Sequence, residues 1–168
     1  YNLISKSTEK AVWKRHILDS AQIIKYIDFK KDHILSDFGS GAGLPGVILS
    51  IANTNPNFHV KLYEKSPVKR AFLRDIQKIS KFNIEENVYY YNYIETDYIV
   101  CRAFKKLDLI FDISREKVKN PHKLIILKGK NALNDLKKLP KDKNYRYKTV
   151  DSITDKDSKI IIATKNGK

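Results

Sequence analysis

The stretch from Asp37 to Gly46, DFGSGAGLPG, sets four glycines and a proline directly behind the apolar run HILSDF. A Gly-rich loop behind a strand lets the backbone approach a ligand closely, and a new helix after Pro45 would aim its first N–H groups at the same place. Glu64 closes a second apolar run, FHVKLYE. An acidic side chain about 20 positions beyond such a loop can accept both hydroxyls of a ribose. Arg102 and Lys128 close two further runs, DYIVCR and KLIILKG. Cations there can bind phosphate.

The glycines admit more than one ligand. Begun at Gly39, the dinucleotide fingerprint G-x-G-x-x-G needs glycine at position 44, where Leu44 stands. Begun at Gly41 it is complete through Gly43 and Gly46, so a nicotinamide dinucleotide and an oxidoreductase stay open. A Walker loop ends in Gly-Lys-Ser/Thr, and Gly46-Val47-Ile48 is not that. Asp37-x-Gly39-x-Gly41-x-Gly43 is the form of S-adenosylmethionine loops, which pass close to a methionine moiety and a ribose and face no pyrophosphate. Glu64 suits either cofactor. A bare strand-to-helix turn would not need four glycines, each of which loses entropy on folding. Cys101 lies inside an apolar strand and reads as core. The chain lacks the [DN]-P-P-[YF] grip on an exocyclic amine and the Pro-Cys nucleophile of C5-pyrimidine chemistry.

Positioning these groups takes alternating strands and helices. Ser5 or Ser7 caps an expected helix over 8–28, with Val12, Ile17, Ile23, Ile24 and Ile27 as its apolar contacts. Strands are expected at 33–38, 58–64, 87–92, 97–102 and 123–129. Helices are expected after Pro45, over 67–80 with Phe72, Leu73, Ile76 and Ile79 inward, over 103–114 and over 132–139. YRYKTV (145–150) and KIIIAT (159–164) follow with no helix between them and read as an antiparallel pair. The expected fold is α/β and Rossmann-like: a seven-stranded, mostly parallel sheet with its last strand antiparallel and helices on both faces. Ligands in such sheets bind at the carboxyl ends of the strands, where the glycines lie. The loop after the third strand touches adenine there, through backbone near Ile94 and Glu95. Residues 1–32 read as an N-terminal helical cap on a 33–168 cofactor domain, the two forming one unit.

The 168 residues suit one domain, and one cysteine rules out an intramolecular disulfide framework. No run approaches a membrane span, so no membrane partner is expected, and the expected location is the cytoplasm. Lys+Arg of 33 against Asp+Glu of 19 leaves +14, which favours a polyanion partner, nucleic acid first. The excess of lysine over arginine, with abundant Ile, Asn and Tyr, also fits an AT-rich genome. A start at Tyr1 and the absence of methionine suggest a chain shortened at its front.

YNLIS (1–5), HILDS (16–20), DFGSGAGLPGVILSI (37–51), EKSPVKRAFL (64–73), CRAF (101–104) and LKGK (127–130) occur in this order. Together they resemble the bacterial 7-methylguanosine methyltransferases of 16S ribosomal RNA, the glucose-inhibited division protein B family. The resemblance spans nearly the whole chain. It implies S-adenosylmethionine as cofactor, N7-methylation of a guanine in 16S RNA, and the small ribosomal subunit or its RNA as partner of a monomeric enzyme. A small-molecule methyltransferase or an NAD-dependent oxidoreductase is the alternative. By position, the resemblance assigns Gly39, Gly41 and Leu44 to the cofactor loop, beside Asp37 and Gly43. It assigns Glu64 to the ribose and Ile94 and Glu95 to the adenine. Arg102 falls at the cofactor and active site, Lys128 in the active site, and His16 and Asp19 in a motif folding over the cleft. No metal site is expected. Tyr93, Ser158-Lys159 and NPHK (120–123) depart from the family pattern on the substrate side. Lys65, Lys69, Arg70 and Arg74 form a basic helix face suited to RNA backbone or to solvent alone.

Overall fold

The computed structural model describes Leu3, residues 10–139 and residues 142–166. The expected caps Ser5 and Ser7 lie outside the described residues, as does most of YNLIS. Seven strands form one sheet in the order β3-β2-β1-β4-β5-β7-β6. β1 (Ile34–Phe38), β2 (His59–Tyr63), β3 (Asn83–Glu85), β4 (Tyr98–Arg102) and β5 (His122–Lys128) run parallel. β7 (Lys159–Lys165) inserts antiparallel between β5 and β6 (Tyr145–Asp151), as the sequence led one to expect.

The central strands are apolar on both faces because both are covered. Ile99, Cys101, Leu124 and Ile126 share one core with Leu107, Ile110 and Phe111 of α4 (Leu107–Lys117) and Leu136 of α5 (Ala132–Lys137). Their neighbours Val100, Ile125 and Leu127 point to the other face, as strand alternation requires. There they meet Val47 and Leu49 of α2 (Gly46–Ala52), Leu73 of α3 (Pro67–Ile76), and Ile23 and Ile27. Fully burying one such Leu or Ile contributes about 1.5–3 kcal/mol, so Leu73→Ala would cost about 2–5 kcal/mol with its cavity.

Several expected boundaries move. The first helix, α1, is a π-type stretch at Trp13–Leu18 that runs on through Asp19–Ala21 and stops, and Ile24–Tyr26 form a separate 3-10 turn. The buried Ser20 hydroxyl donates to the His16 carbonyl at 2.7 Å, the back-bonding that bends helices. α3 starts as expected, with Pro67 in its first turn and Ser66 Oγ accepting from Lys69 N, but ends at Ile76. Ile79, expected inward, is 75% exposed. Gln77 Nε2 donates to the Phe82 carbonyl at 2.7 Å, and the buried Phe82 takes the apolar place. α4 begins four residues late, because Ala103 adopts φ 51° and the chain loops before Leu107.

The third strand is the largest correction. It is Asn83–Glu85, and the 87–92 stretch contains a 3-10 turn at Val88–Tyr90. Asn87 Oδ1 accepts from Tyr89 N, which favours a turn over extension, and the Tyr91 hydroxyl donates to Glu85 Oε2 at 2.7 Å. Among the described residues no helix is long and apolar enough to cross a membrane.

Candidate active site

The glycine loop joins β1 to α2 at the carboxyl edge of the sheet. Gly39 and Gly41 have φ of 73° and 57°, which L side chains rarely adopt. At Gly39 a Cβ would collide with the Phe104 ring, whereas at Gly41 the nearest atom to a Cβ is the Gly39 carbonyl oxygen at 3.9 Å. Gly41 thus borders open space. Its N–H donates to Glu64 Oε2 at 2.9 Å, and Ser66 N donates to Glu64 Oε1 at 2.8 Å. Glu64, at the end of β2, is held against the loop by these bonds. Gly39, Gly41, Glu64, Asn87, Tyr89 and Phe104 are among the walls of a cavity of about 280 Å³.

Asp37 is not at this cavity. It is fully buried behind the loop, where Oδ2 accepts from Gly46 N at 2.8 Å at the start of α2. Oδ1 has no hydrogen-bond partner. Burial raises its carboxyl to about 7, against the lowering effects of the Gly46 bond, Ser40 and Arg102. Gly43 is buried under the loop and Leu44 is half-buried, its N–H donating to the Ser40 carbonyl at 3.1 Å. Both shape the loop and lie outside the cavity walls.

A second cavity, of about 370 Å³, opens over the ends of β4 and β5 and the start of β7. Arg102, Lys128, Lys130 and Lys159 give it positive walls, with Asp19 and Asp135 among them. Arg102 is clamped by α1: Nη1 donates to the Arg15 carbonyl at 3.1 Å and lies 3.5 Å from Asp19 Oδ2, and Nη2 donates to His16 Nδ1 at 3.0 Å. A guanidinium is donor-only, so His16 Nδ1 is the acceptor and the ring is neutral in this arrangement. Burial, then the Arg102 charge, lowers the His16 pKa. Asp19 Oδ1 in turn accepts from Thr154 Oγ1 at 2.7 Å and Gln22 Nε2 at 2.8 Å. Lys128 Nζ pairs with Asp135 Oδ2 at 3.1 Å. The structure therefore gathers His16, Asp19 and Arg102 at one point, with Lys128 on the wall of the same cavity, at the end of the neighbouring strand.

Ala103, Phe104 and Lys105 line both cavities, so the loop after β4 is the partition between them. Cys101 is fully buried beneath, and burial pushes its thiol pKa up, away from nucleophilic use. Of the basic helix face, Lys65 and Lys69 reach the first cavity. Arg70 is engaged instead: it donates to the Glu64 and Lys65 carbonyls at 2.9 Å each and pairs with Glu86 at 3.2 Å.

Ile94 and Glu95 are not brought to either cavity. Ile94 is buried with its N–H bonded to the Lys117 carbonyl, and Glu95 is exposed beyond it. Gln22 and Thr154 carry no motif in the sequence, Lys130 enters only as the end of LKGK, and Lys159 only as a departure from the family pattern. A helix residue three positions after Asp19 shares its face, which was a usable signal for Gln22. Thr154 reaches Asp19 across 135 residues, and nothing local announces it.

Comparison with known proteins bears on what this cleft serves. The family model for rRNA small subunit methyltransferase G matches residues 1–162. The chain belongs to this family. It is 37% identical over 167 residues to the ribosomal RNA small subunit methyltransferase G of Pelagibacter ubique, covering 95% of this chain and 78% of that protein. The protein of the same name from Rickettsia bellii is 40% identical over 162 residues, covering 95% and 82%. Among solved structures, a SAM-dependent methyltransferase from Aquifex aeolicus superposes with a TM-score of 0.66 at 13% identity, covering 95% of this chain and 94% of that one. At that identity the likeness shows the fold.

Proposed function

We propose that this chain transfers a methyl group from S-adenosylmethionine to N7 of a guanine in the 16S RNA of the small ribosomal subunit. The observation that carries this reading is the family match across residues 1–162. The cleft fits the cofactor: Gly41 leaves space where any side chain would intrude, and Glu64 stands beside it with a carboxylate suited to ribose hydroxyls. Gly39 and Gly41 would hold the methionine side of the cofactor. When bound, S-adenosylmethionine supplies a methyl group on a sulfonium, an electrophile that needs no further activation.

Guanine N7 carries a free lone pair, so no residue has to remove a proton before attack. The chain's task is positioning. Arg102 and Lys128 sit on the other side of the partition from the glycine loop. Positive charge beside N7 would oppose the cation formed there. Their role in this reading is therefore to anchor RNA phosphate or the guanine O6 edge at the cavity mouth. His16 and Asp19 fix the direction of Arg102. The cap and the 33–168 domain work as one unit, since Ile23 and Ile27 belong to the same core as Leu35 and Val100. One chain carries both cavities, which supports action as a monomer, and an RNA target inside the small subunit supports a cytoplasmic location.

The test is methylation of undermethylated small subunits by the full-length protein with S-adenosylmethionine, read by borohydride–aniline cleavage. One cleavage site at one guanine is expected, with activity falling steeply as salt rises. No site, or a methyl group on another atom, overturns the reaction assigned.

A further inference from the structure

The sheet ends at β6, which pairs with β7 alone. Opposed residues of an antiparallel pair share a face. Tyr145, Tyr147 and Thr149 stand opposite Lys165, Ala163 and Ile161, so they lie on the face that carries α4 and α5. Tyr145 is buried there against Phe111, their ring centres 5.1 Å apart. Tyr147, two residues on, is 55% exposed. On α5, Leu136 is buried in the same core, while Leu133 is 47% exposed. Between helix and strand lies a groove of about 330 Å³, lined by Leu133, Leu136, Lys137, Tyr147, Lys148 and Thr149.

The cations of these elements keep their charge uncancelled. Lys137, Lys138, Lys143, Arg146 and Lys148 are exposed, and among the described residues none of them stands in an ion pair. The carboxylates of the stretch 130–151 are engaged by other cations: Asp135 by Lys128 at 3.1 Å, Asp142 by Arg115 at 3.1 Å, and Asp151 by Lys159. Charge on an edge strand prevents sheets from joining edge to edge, which accounts for Arg146 and Lys148. It does not account for a tyrosine ring and a leucine left open beside Lys137. The groove is also continuous with the cleft. Asp135, next to Leu136 on α5, lines the cavity of Arg102 and Lys128, as do Lys130 and Asn131 just before the helix. α5 is therefore a wall common to both. An open aromatic ring flanked by unpaired cations suits single-stranded nucleic acid, because every base has a π-face and the cations take the phosphates.

We propose that the groove between α5 and β6 is a second contact for the RNA, holding an unpaired nucleotide outside the cleft, with Tyr147 stacked on its base and Lys137 and Lys148 on its phosphates. This rests on the RNA reading above. Filter binding of the full-length protein to undermethylated 16S RNA over a series of salt concentrations tests it. Lys137→Ala combined with Lys148→Ala weakens binding and lowers the slope of log affinity against log salt by about 1.5. Tyr147→Ala weakens binding about tenfold, the scale of a lost stacked base, and Tyr147→Phe, which keeps the ring, binds as the parent does. Lys30→Ala combined with Lys81→Ala removes the same charge from exposed positions ahead of β1 and β3, at the opposite edge of the sheet, and leaves the slope unchanged. S-adenosylhomocysteine affinity, read by calorimetry, is the same in every variant. Lysine acetylation of the unaltered protein gives a check free of any substitution: saturating RNA protects Lys137 and Lys148. Equal losses in the two double variants, unchanged binding in Tyr147→Ala, or acetylation undiminished by RNA overturns the groove as an RNA contact. A dimer in sedimentation that Tyr147→Ala dissolves gives the groove to a second copy and overturns it as well. The cleavage assay above reads the reaction in the parent protein alone, so the reaction stands or falls separately.

Discussion

Replacing Asp37 by asparagine should change how stability depends on pH. Asp37 is fully buried, with one oxygen bonded to Gly46 N and the other without a partner. Burial raises its carboxyl from the ordinary 3.8 to about 7. The folded chain therefore keeps a proton that the unfolded chain gives up. The associated stability is complete below about pH 4 and is lost as pH rises through about 7. The gap between the two values corresponds to about 4 kcal/mol over that range. Asparagine keeps an acceptor for Gly46 N–H and does not titrate. Relative to the parent protein, Asp37→Asn should gain roughly 2–3 kcal/mol between pH 5 and pH 8. The charged groups that act on Asp37, Arg102 and Glu64, are the same in both proteins, so their own effects largely cancel in the difference. Urea unfolding of both proteins at the two pH values measures it. Parallel pH profiles would show that Asp37 is ionised throughout and that its burial does not raise its pKa.

Three further variants separate the parts of the cleft. Gly41→Val puts a side chain into the open space at a φ of 57°. It should abolish S-adenosylhomocysteine binding in calorimetry while costing about 1–2 kcal/mol of stability. Lys128→Ala, which also frees Asp135, should keep cofactor affinity within a few-fold and lower methylation by about tenfold or more; parent-like turnover would make Lys128 an ordinary surface lysine. Cys101→Ala should retain turnover and lose about 1 kcal/mol of stability in denaturant titration, whereas a folded variant without activity would mean the thiol acts in the reaction.

The sequence was most legible where burial on both faces wrote long apolar runs. β1, β4 and β5 read directly, and the adjacency of β6 and β7 gave away the antiparallel insertion. It was least legible between Phe82 and Asp97. The tyrosines at 89, 90 and 91 have high strand propensity, but propensity is a weak prior against context. Asn87 caps a turn there, and the three-residue Asn83–Glu85 does the pairing with β2. The same displacement bears on the site. Ile94 and Glu95 stand at the family's motif positions, and β3 ends at Glu85, nine residues before Ile94. The loop glycines and Glu64 were legible because their chemistry is local. The network joining Asp19 to Thr154 was not, since its partners meet only in the fold.

The cap is best understood through what it does to Arg102. A strand-end arginine has a long side chain and ordinarily keeps much of its rotamer freedom, which RNA binding would then have to remove at a cost of about 1–2 kcal/mol. Here the backbone carbonyl of Arg15, the His16 ring and the Asp19 carboxylate receive the guanidinium beforehand. Asp19 is itself held by Gln22 and Thr154, and Arg15 pairs with Asp155 at 3.1 Å, so the cap is tied to the β6–β7 connection, whose Ser152 and Ser158 also line the cavity. Lys159, at the start of β7, lies on that cavity too. One arrangement thus fixes a cation on the cavity wall and joins the first helix to the last hairpin. In a reaction that requires no general base, such fixing of direction is the contribution left for side chains to make. It also explains why the H-x-x-D spacing of His16 and Asp19 matters: three residues apart on one helix turn, both face Arg102 at once.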